Sequence, residues 1–291
     1  MAFASIINQT VKPLRADILL ASFYPQYSRA ALAKLFDMNL IQKNSKAIKP
    51  GEKIQPNISI SADISPIEQI ADVIDIPIIY QDDNIIVVNK PAGIISHARG
   101  KYWDEASVAS FIRDKVSNLS GERAGIVHRL DRATSGVMVC AKNSATLSFL
   151  QKQFSNRLVK KTYIAIVNGD IEPKKGIIDI PLARNPSKPQ TFAVNANGKS
   201  AQTEYHVICQ EGNFSALQLH PLTGRTHQLR IHLQYLNKPI IGDSLYGGQE
   251  YKRLMLHAHS ITINIPDKGI KTFIAPLPKD FNNLCNQLST L

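Results

Sequence analysis

The sequence predicts an α+β fold, in which a large domain with a mixed, mainly antiparallel sheet follows a small N-terminal α/β domain. Short apolar runs bounded by Gly, Pro and Asn indicate strands, and a few stretches show the apolar spacing of helices. These elements alternate without the regular strand–helix–strand repeat that marks a parallel sheet. The 44% share of hydrophobic residues in 291 positions is enough for a sizeable core.

The charge balance indicates an anionic partner. Basic residues outnumber acidic ones by 34 to 23, and the formal net charge is +11 at pH 7. Such a surplus is typical of proteins that bind nucleic acid or, second, an anionic membrane surface, and a merely basic protein is the alternative. No stretch approaches the roughly 18 apolar residues that span a bilayer, and we identify no signal peptide. We expect a cytoplasmic protein without a membrane partner.

Residues 12–60 are predicted to form the small N-terminal domain. A helix over 29–36 places its apolar side chains on one stripe, with Arg29 and Lys34 off it. Residues 10–56 contain eight basic and three acidic side chains, which favours a module that contacts phosphates over a solvated basic surface. We therefore expect Arg29 and Lys34 to bind RNA.

An acidic stretch without Lys or Arg marks residues 61–78 as a linker, and the remainder, 79–291, forms the large domain. Its elements follow from apolar runs and turn residues. We predict strands at 84–89, 136–141 and 161–169, a helix capped by Ser144, and a hairpin that turns at 211–213.

The three cysteines, Cys140, Cys209 and Cys285, are widely spaced and form no Cys-x-x-Cys pair. An odd, scattered set suits reduced thiols in a cytosolic protein, and it supplies no structural zinc site.

Residues 125–136, GIVHRLDRATSG, are the first motif that can carry chemistry. Asp131 lies between Arg129 and Arg132, directly before a buried strand. Two guanidiniums nearby favour its ionised form and lower its pKa, and a carboxylate on a rigid element suits a nucleophile. On spacing alone, a structural Arg–Asp pair is an equally good interpretation. A metal site shared with His128 lacks further ligands at recognisable spacing.

A second motif covers residues 220–248, where Arg225, His227, Arg230 and His232 crowd together after a Thr-Gly turn. In a strand Arg230 and His232 would share a face; in a helix His227 and Arg230 would do so. Either arrangement suits contacts with phosphates and bases. Tyr163 combines an aromatic face and a hydroxyl with the neighbouring Lys160 and Lys161, although most tyrosines in buried strands are core residues.

Five collinear segments resemble the RluA-type pseudouridine synthase family between about residues 79 and 265. They are NIIVVNKPAGIISH, GIVHRLDRATSGVMVCAKN, KKTYIAIVNGDI, HPLTGRTHQLRIHLQYLNKPIIGDSLYGG and LMLHAHSITI. The N-terminal part, LRADILLASFYPQYSRAALAKLFDMNLIQKN followed by KPGEKI, resembles the small RNA-binding domain named after ribosomal small-subunit protein four. It departs from that pattern at Asn44-Ser45, where Asn-Gly is usual, which puts the turn type in question.

The resemblance implies isomerisation of uridine to pseudouridine in RNA, with no cofactor and no metal. It implies that Asp131 is the essential carboxylate, with attack on the base, attack on the sugar and proton abstraction all open. It further implies that Tyr163 stacks on the uracil and accepts the proton from carbon 5, that Arg230 pairs with Asp131, and that Arg129 fills the gap left by the flipped nucleotide. We expect further RNA contacts from the other cationic and imidazole side chains of the motifs: His128, Arg132, Arg225 and His227.

The predicted substrate is large-subunit ribosomal RNA, because a separate RNA-binding domain precedes the large domain. Transfer RNA is the nearest rival substrate. A non-catalytic RNA-binding or ribosome-assembly protein and a metal-dependent hydrolase are alternatives of other classes. We expect a monomer.

Overall fold

The chain divides into two units in the computed structural model, which describes residues 3–25, 27, 29–68, 74–97, 105–117, 119, 123, 125–286 and 288. The first unit comprises Met1–Ile74, His97–Ser110 and Ser120–Arg123, and the second comprises Asp75–Ser96, Phe111–Leu119 and Ala124–Leu291. The described helices are α1 (Ala16–Phe23), α2 (Arg29–Asp37), α3 (Ser65–Glu68), α4 (Val108–Ile112), α5 (Ser144–Ser155), α6 (Gln228–Tyr235) and α7 (Lys279–Asn282).

The first unit contains a four-stranded sheet of order β1-β6-β3-β4 and a separate pair, β2-β5. Its strands are β1 (Ala4–Ile7), β2 (Leu14–Arg15), β3 (Ile41–Lys43), β4 (Lys46–Ala47), β5 (Lys53–Ile54) and β6 (Ser59–Ala62). Because β1 pairs antiparallel with β6, residues before 12 belong to this unit. Ile67 of α3 joins its core, so part of the expected linker is packed here as well.

The turn between β3 and β4 keeps the conformation that Asn-Gly usually supplies. Asn44 and Ser45 both have positive φ, 51° and 62°. Two central residues in the left-handed region are the signature of a tight hairpin turn. The departure in sequence therefore leaves the turn geometry unchanged.

The second unit is built on a nine-stranded sheet. Its order is β11-β14-β15-β10-β16-β9-β8-β7, with β17 paired to β16. The strands are β7 (Ile78–Gln81), β8 (Ile85–Lys90), β9 (Ser135–Ala141), β10 (Lys160–Asn168), β11 (Lys175–Asp179), β14 (Gln202–Glu211), β15 (Phe214–Pro221), β16 (Leu256–Ile265) and β17 (Gly269–Ile274), with β12 (Leu182–Arg184) and β13 (Phe192–Val194) forming a separate pair. Among the described pairings in this sheet, β9 with β16 is parallel and the others are antiparallel. The predicted mixed, mainly antiparallel sheet is confirmed.

Helix α5 begins one residue away from its expected cap. The Asn143 side chain accepts a hydrogen bond from the Thr146 N–H at 2.9 Å, so Asn143 and not Ser144 is the N-cap. An Asn side chain satisfies an otherwise unpaired N–H of the first turn.

The expectation of three separate thiols is wrong for two of them. Cys209 on β14 and Cys285 in the C-terminal segment form a disulfide, because the two segments pack together in one core although 76 residues separate them in sequence. Cys140 on β9 is a buried free thiol. None of the helices in the described part combines the length and the hydrophobicity required to span a bilayer.

Candidate active site

A cavity of about 480 Å³ opens in the second unit beside the end of β9. Three segments form most of its wall: residues 127–134 before β9, the start of β10, and residues 221–230 between β15 and α6. Asp131, Tyr163 and Arg230 all line it, so residues up to about 100 positions apart are brought together. A cavity of this size holds a group as large as a nucleotide.

The turn before β9 fixes the position of Asp131. The Thr134 N–H donates to the Asp131 carbonyl at 3.1 Å. Gly136 then passes so close to β16 that a β-carbon there would collide with the Ala258 carbonyl, and its φ is 119°. A residue with a side chain cannot make this approach. Asp131 therefore lies in a turn that is fixed to the start of β9, with 20% of its side chain exposed.

Buried hydrogen bonds hold the first residue of β9. The His257 Nε2–H donates to the Ala275 carbonyl at 3.2 Å, so its Nδ1 accepts from the Ser135 hydroxyl at 2.8 Å. Arg253 donates to the same hydroxyl oxygen at 2.5 Å. Burial lowers the pKa of His257 to about 4, which keeps the ring neutral and able to accept.

Lys90, which sequence reasoning did not single out, holds the backbone just after Asp131. Its buried Nζ donates to the carbonyls of Pro91, Ile94 and Arg132 at 2.9, 2.8 and 3.3 Å. Burial lowers its pKa to about 7, while the charge of Asp131 acts in the opposite direction. The position of Lys90 at the end of β8, in the Lys-Pro-Ala-Gly turn, is the signal that could have indicated it.

The ion contacts of Asp131 in the described part of the chain are with His227 and Arg230. They join Asp131 Oδ2 to His227 Nε2 at 3.9 Å and to Arg230 Nη1 at 4.0 Å. Both distances exceed a hydrogen bond. Arg230 therefore lies beside Asp131 as the resemblance implied, without a close pair between them.

The close partner of Arg230 is Asp243, which sequence reasoning missed. Nε and Nη2 of Arg230 each donate to one carboxylate oxygen of Asp243 at 2.7 Å, and both side chains are buried. The ring of Tyr246 lies 5.0 Å from the guanidinium. Such a two-bond pair fixes the plane of the guanidinium, so Arg230 presents its remaining nitrogen, Nη1, to Asp131. Asp243 lies in the Gly-bounded segment IIGDSLYGG, whose fold depends on the positive φ of Gly242.

His227 takes up the left-handed conformation before α6, with φ of 57°. The Tyr246 hydroxyl accepts from the Phe192 N–H at 3.1 Å, so it donates to His227 Nδ1 at 2.8 Å. His227 then carries its proton on Nε2, the atom that faces Asp131. Burial lowers the pKa of His227, although the charge of Asp131 opposes that shift. The helical alternative for this motif, with His227 and Arg230 sharing a face, is the one observed.

Tyr163 reaches the cavity from β10, at a point where the pairing of β10 with β16 shifts register between Thr162 and Tyr163. Such a bulge redirects the side chains of a strand. Burial and the charge of Asp131 raise the pKa of Tyr163 well above its ordinary value. Tyr163 is therefore a phenol in the RNA-free protein.

The residues expected to contact RNA occupy different environments. Arg129 is exposed at the cavity wall. Arg225 also lines the cavity and donates to the Ser200 carbonyl at 3.0 Å, and Arg132 is exposed, with Nη1 3.5 Å from the Gly93 carbonyl. Arg29 forms an ion pair with Asp17 at 2.6 Å in the first unit. Lys34 lies on α2 of that unit, half-buried.

His128 has protein partners. Its Nε2 accepts from the Val139 N–H at 3.0 Å, and its ring stacks on Phe154 with 4.7 Å between centroids. Burial lowers its pKa to about 3. A neutral ring bonded to β9 anchors the loop that carries Asp131, and His128 also lines the cavity, so its contact with RNA stays a prediction.

The cavity and its residues define a class of enzyme that holds a nucleotide beside one carboxylate, among several cations. The profile of the RNA pseudouridylate synthase family matches residues 84–235. The chain therefore belongs to this family. Within the described residues, no three His, Cys, Asp or Glu side chains come together as a metal site.

Curated relatives and solved structures that resemble this chain carry the same family name. The ribosomal large subunit pseudouridine synthase D of Borreliella burgdorferi is 44% identical over 219 residues, which are 72% of this chain and 67% of that protein. The Haemophilus influenzae protein of the same name is 33% identical, over 94% of this chain and 91% of its own length. The structure of human RNA pseudouridylate synthase domain containing 1 superimposes with a TM-score of 0.62 at 27% identity, over 75% of this chain and 89% of that one. The pseudouridine synthase fold and its isomerase chemistry are those predicted.

Proposed function

We propose that the protein isomerises specific uridines in large-subunit ribosomal RNA to pseudouridine, with Asp131 as the essential group. The names of the bacterial relatives support the choice of RNA. The observation that carries the assignment of Asp131 is its place in the cavity: held in the turn before β9, partly exposed, and without a hydrogen-bonded cation among the described residues that would occupy its oxygens. Action as a monomer in the cytoplasm, without a cofactor, completes the proposal.

The surroundings of Asp131 suit a flipped uridine. Tyr163 supplies an aromatic face for the uracil. The shortest contacts of His227 Nε2 and Arg230 Nη1 with Asp131 both go to Oδ2, at 3.9 and 4.0 Å. Two donors at that distance stabilise the charge of Asp131 without a close hydrogen bond, so the carboxylate stays available to react. Tyr163, as a phenol, can accept the carbon 5 proton on its oxygen only as its own proton moves on.

RNA contacts complete the proposal. Arg129, exposed at the cavity wall, fills the space that the uridine leaves in the RNA. Arg132, Arg225 and the neighbouring basic residues contact the backbone, and the first unit, with Arg29 and Lys34, acts as a separate RNA-binding domain. The basic surplus of the whole chain supports this division.

The experiment is tritium release from RNA that carries [5-³H]uridine. When the ribose becomes bonded to carbon 5 of the uracil, the hydrogen on that carbon is lost to water. We expect the wild type to release tritium from unmodified large-subunit ribosomal RNA, and Asp131→Asn to be slower by about a thousandfold or more, as for loss of a nucleophile. Asp170→Asn, an exposed carboxylate of the same unit, is the matched control and should match the wild type.

The result can contradict the proposal at two levels. Equal release by Asp131→Asn and wild type would remove Asp131 from the reaction. Release from transfer RNA but not from ribosomal RNA would keep the chemistry and replace the substrate.

A further inference from the structure

Lys161 is a cation of the cavity wall that the chemistry at Asp131 does not use. It lies two residues before Tyr163 on β10, and both line the same cavity. Its Nζ reaches across to the β15–α6 loop, 4.0 Å from the point where a β-carbon of Gly224 would stand. The lysine therefore crosses from one wall of the cavity to the other, next to the aromatic face of the site.

Lys161 differs from Arg230 and Arg225 of the same cavity wall in having no partner within the described residues. Arg230 is paired with Asp243, and Arg225 donates to the Ser200 carbonyl. Within the described residues, Lys161 forms no ion pair or side-chain hydrogen bond, and burial lowers its pKa with no carboxylate to offset the effect. Burial of an uncompensated ammonium group is costly. An anion bound beside Lys161 would compensate its charge and offset this free energy cost.

Given the function proposed above, we infer that Lys161 binds the phosphate group of the target nucleotide. The phosphate is the anionic part of an RNA nucleotide, and a lysine ammonium acts as a point charge suited to it. Two residues along a strand span about 6.6 Å. A uracil stacked on Tyr163 and a phosphate bound at Lys161 would therefore be about as far apart as the base and the phosphate of one nucleotide.

The test compares three substitutions by tritium release from unmodified, [5-³H]uridine-labelled large-subunit ribosomal RNA over a series of KCl concentrations. Lys161→Met removes the charge, Lys161→Arg keeps it, and Lys160→Met removes a charge from the adjacent, exposed position of the same strand. Each phosphate contact contributes about 0.7 to 0.9 to the slope of log affinity against log salt.

We expect Lys161→Met to raise KM about tenfold or more and to reduce the magnitude of the salt slope of kcat/KM by about 0.7 to 0.9. Lys161→Arg should keep the wild-type slope, and Lys160→Met should stay close to it. An unchanged slope in Lys161→Met, with the loss confined to kcat, would overturn the inference and indicate a contact with the base.

Two further measurements separate this inference from the proposed function. Binding of the same RNA can be measured in the Asp131→Asn protein, with and without Lys161→Met, so the salt slope is obtained even if the wild type releases no tritium. Thermal unfolding without RNA should show Lys161→Met at a midpoint equal to or above that of the wild type, because an unpaired buried charge has been removed. A clearly lower midpoint would show that Lys161 is a structural residue and overturn the inference.

Discussion

Asp131 and Asp243 both lie beside Arg230, but they differ in burial and in their distance from its guanidinium. Asp243 is fully buried and takes two hydrogen bonds of 2.7 Å from the guanidinium. Asp131 is partly exposed, and its contacts with Arg230 and His227 are 4.0 and 3.9 Å. The comparison shows how one arginine can serve both structure and chemistry. Asp243 occupies the fork of Arg230, and Asp131 receives charge stabilisation without being locked into a pair.

The largest effect on the free energy of unfolding should come from removing the charge of Asp243 from its pair with Arg230. Asp243→Asn leaves Arg230 buried with no anion in its fork, which typically costs 3–5 kcal/mol, to be measured as the free energy of unfolding in denaturant. The same substitution at Asp131 should change that free energy by less than about 1 kcal/mol, because no close pair is lost. Equal losses at the two positions would contradict the division of roles.

Acid should weaken the support of the turn that carries Asp131. His257, which supports Ser135, has a folded pKa of about 4, below its ordinary value of 6.5. The unfolded state therefore binds the proton first, so this stabilisation is complete above pH 6.5 and is lost as the pH falls towards 4, about 3 kcal/mol in all.

The check is the free energy of unfolding measured across that pH range. His257→Gln, which can still accept from Ser135, should remove about 1.4 kcal/mol per pH unit of the slope between pH 6.5 and 4. A slope identical to that of the wild type would show that His257 is not the titrating support.

The smallest effect should come from removing the Tyr246 hydroxyl, which is hydrogen-bonded to His227 beside Asp131 while the ring contacts Arg230. Tyr246→Phe keeps the ring beneath Arg230 but removes the oxygen bonded to His227 and to the Phe192 N–H. We expect a loss of about 1 kcal/mol in the free energy of unfolding. We also expect tritium release to fall several-fold, because the His227 proton is no longer held on Nε2. Tyr235→Phe, at an exposed ring, is the control and should change neither quantity.

Local sequence was sufficient for the elements that carry the site. The apolar run after Asp131 predicted β9, which is observed at Ser135–Ala141, and the run around Tyr163 predicted β10. For the motif over 220–248, the sequence left a strand and a helix open, and the structure has helix α6 there. Periodicity reports which side chains are buried in an element, and here it was a reliable guide.

Contacts between distant segments could not be predicted in this way. Arg230 was placed near Asp131, but nothing in its spacing from Asp243 indicates a buried two-bond pair. Nor does anything in the sequence indicate that the ring of His128 bonds the backbone of β9. Lys90 and the disulfide cysteines belong to the same class: their roles depend on which segments pack together, and that information is spread over the whole chain.

The parallel pairing of β9 with β16 has a consequence for the order of folding. The contact between Ser135 and His257 spans 122 residues of chain, and the pairing of β10 with β16 spans about 95, whereas β8 pairs with β9 and β10 pairs with β15 across about 50 residues. Closing so long a loop costs more entropy than closing a hairpin, so long-range pairs of this kind form late. Asp131 precedes β9, on one side of this parallel pairing, and Tyr163 lies on β10, on the other side. A nascent chain in which β9 and β16 have not yet paired thus has no assembled active site, and it cannot isomerise uridine even where its first unit already binds RNA.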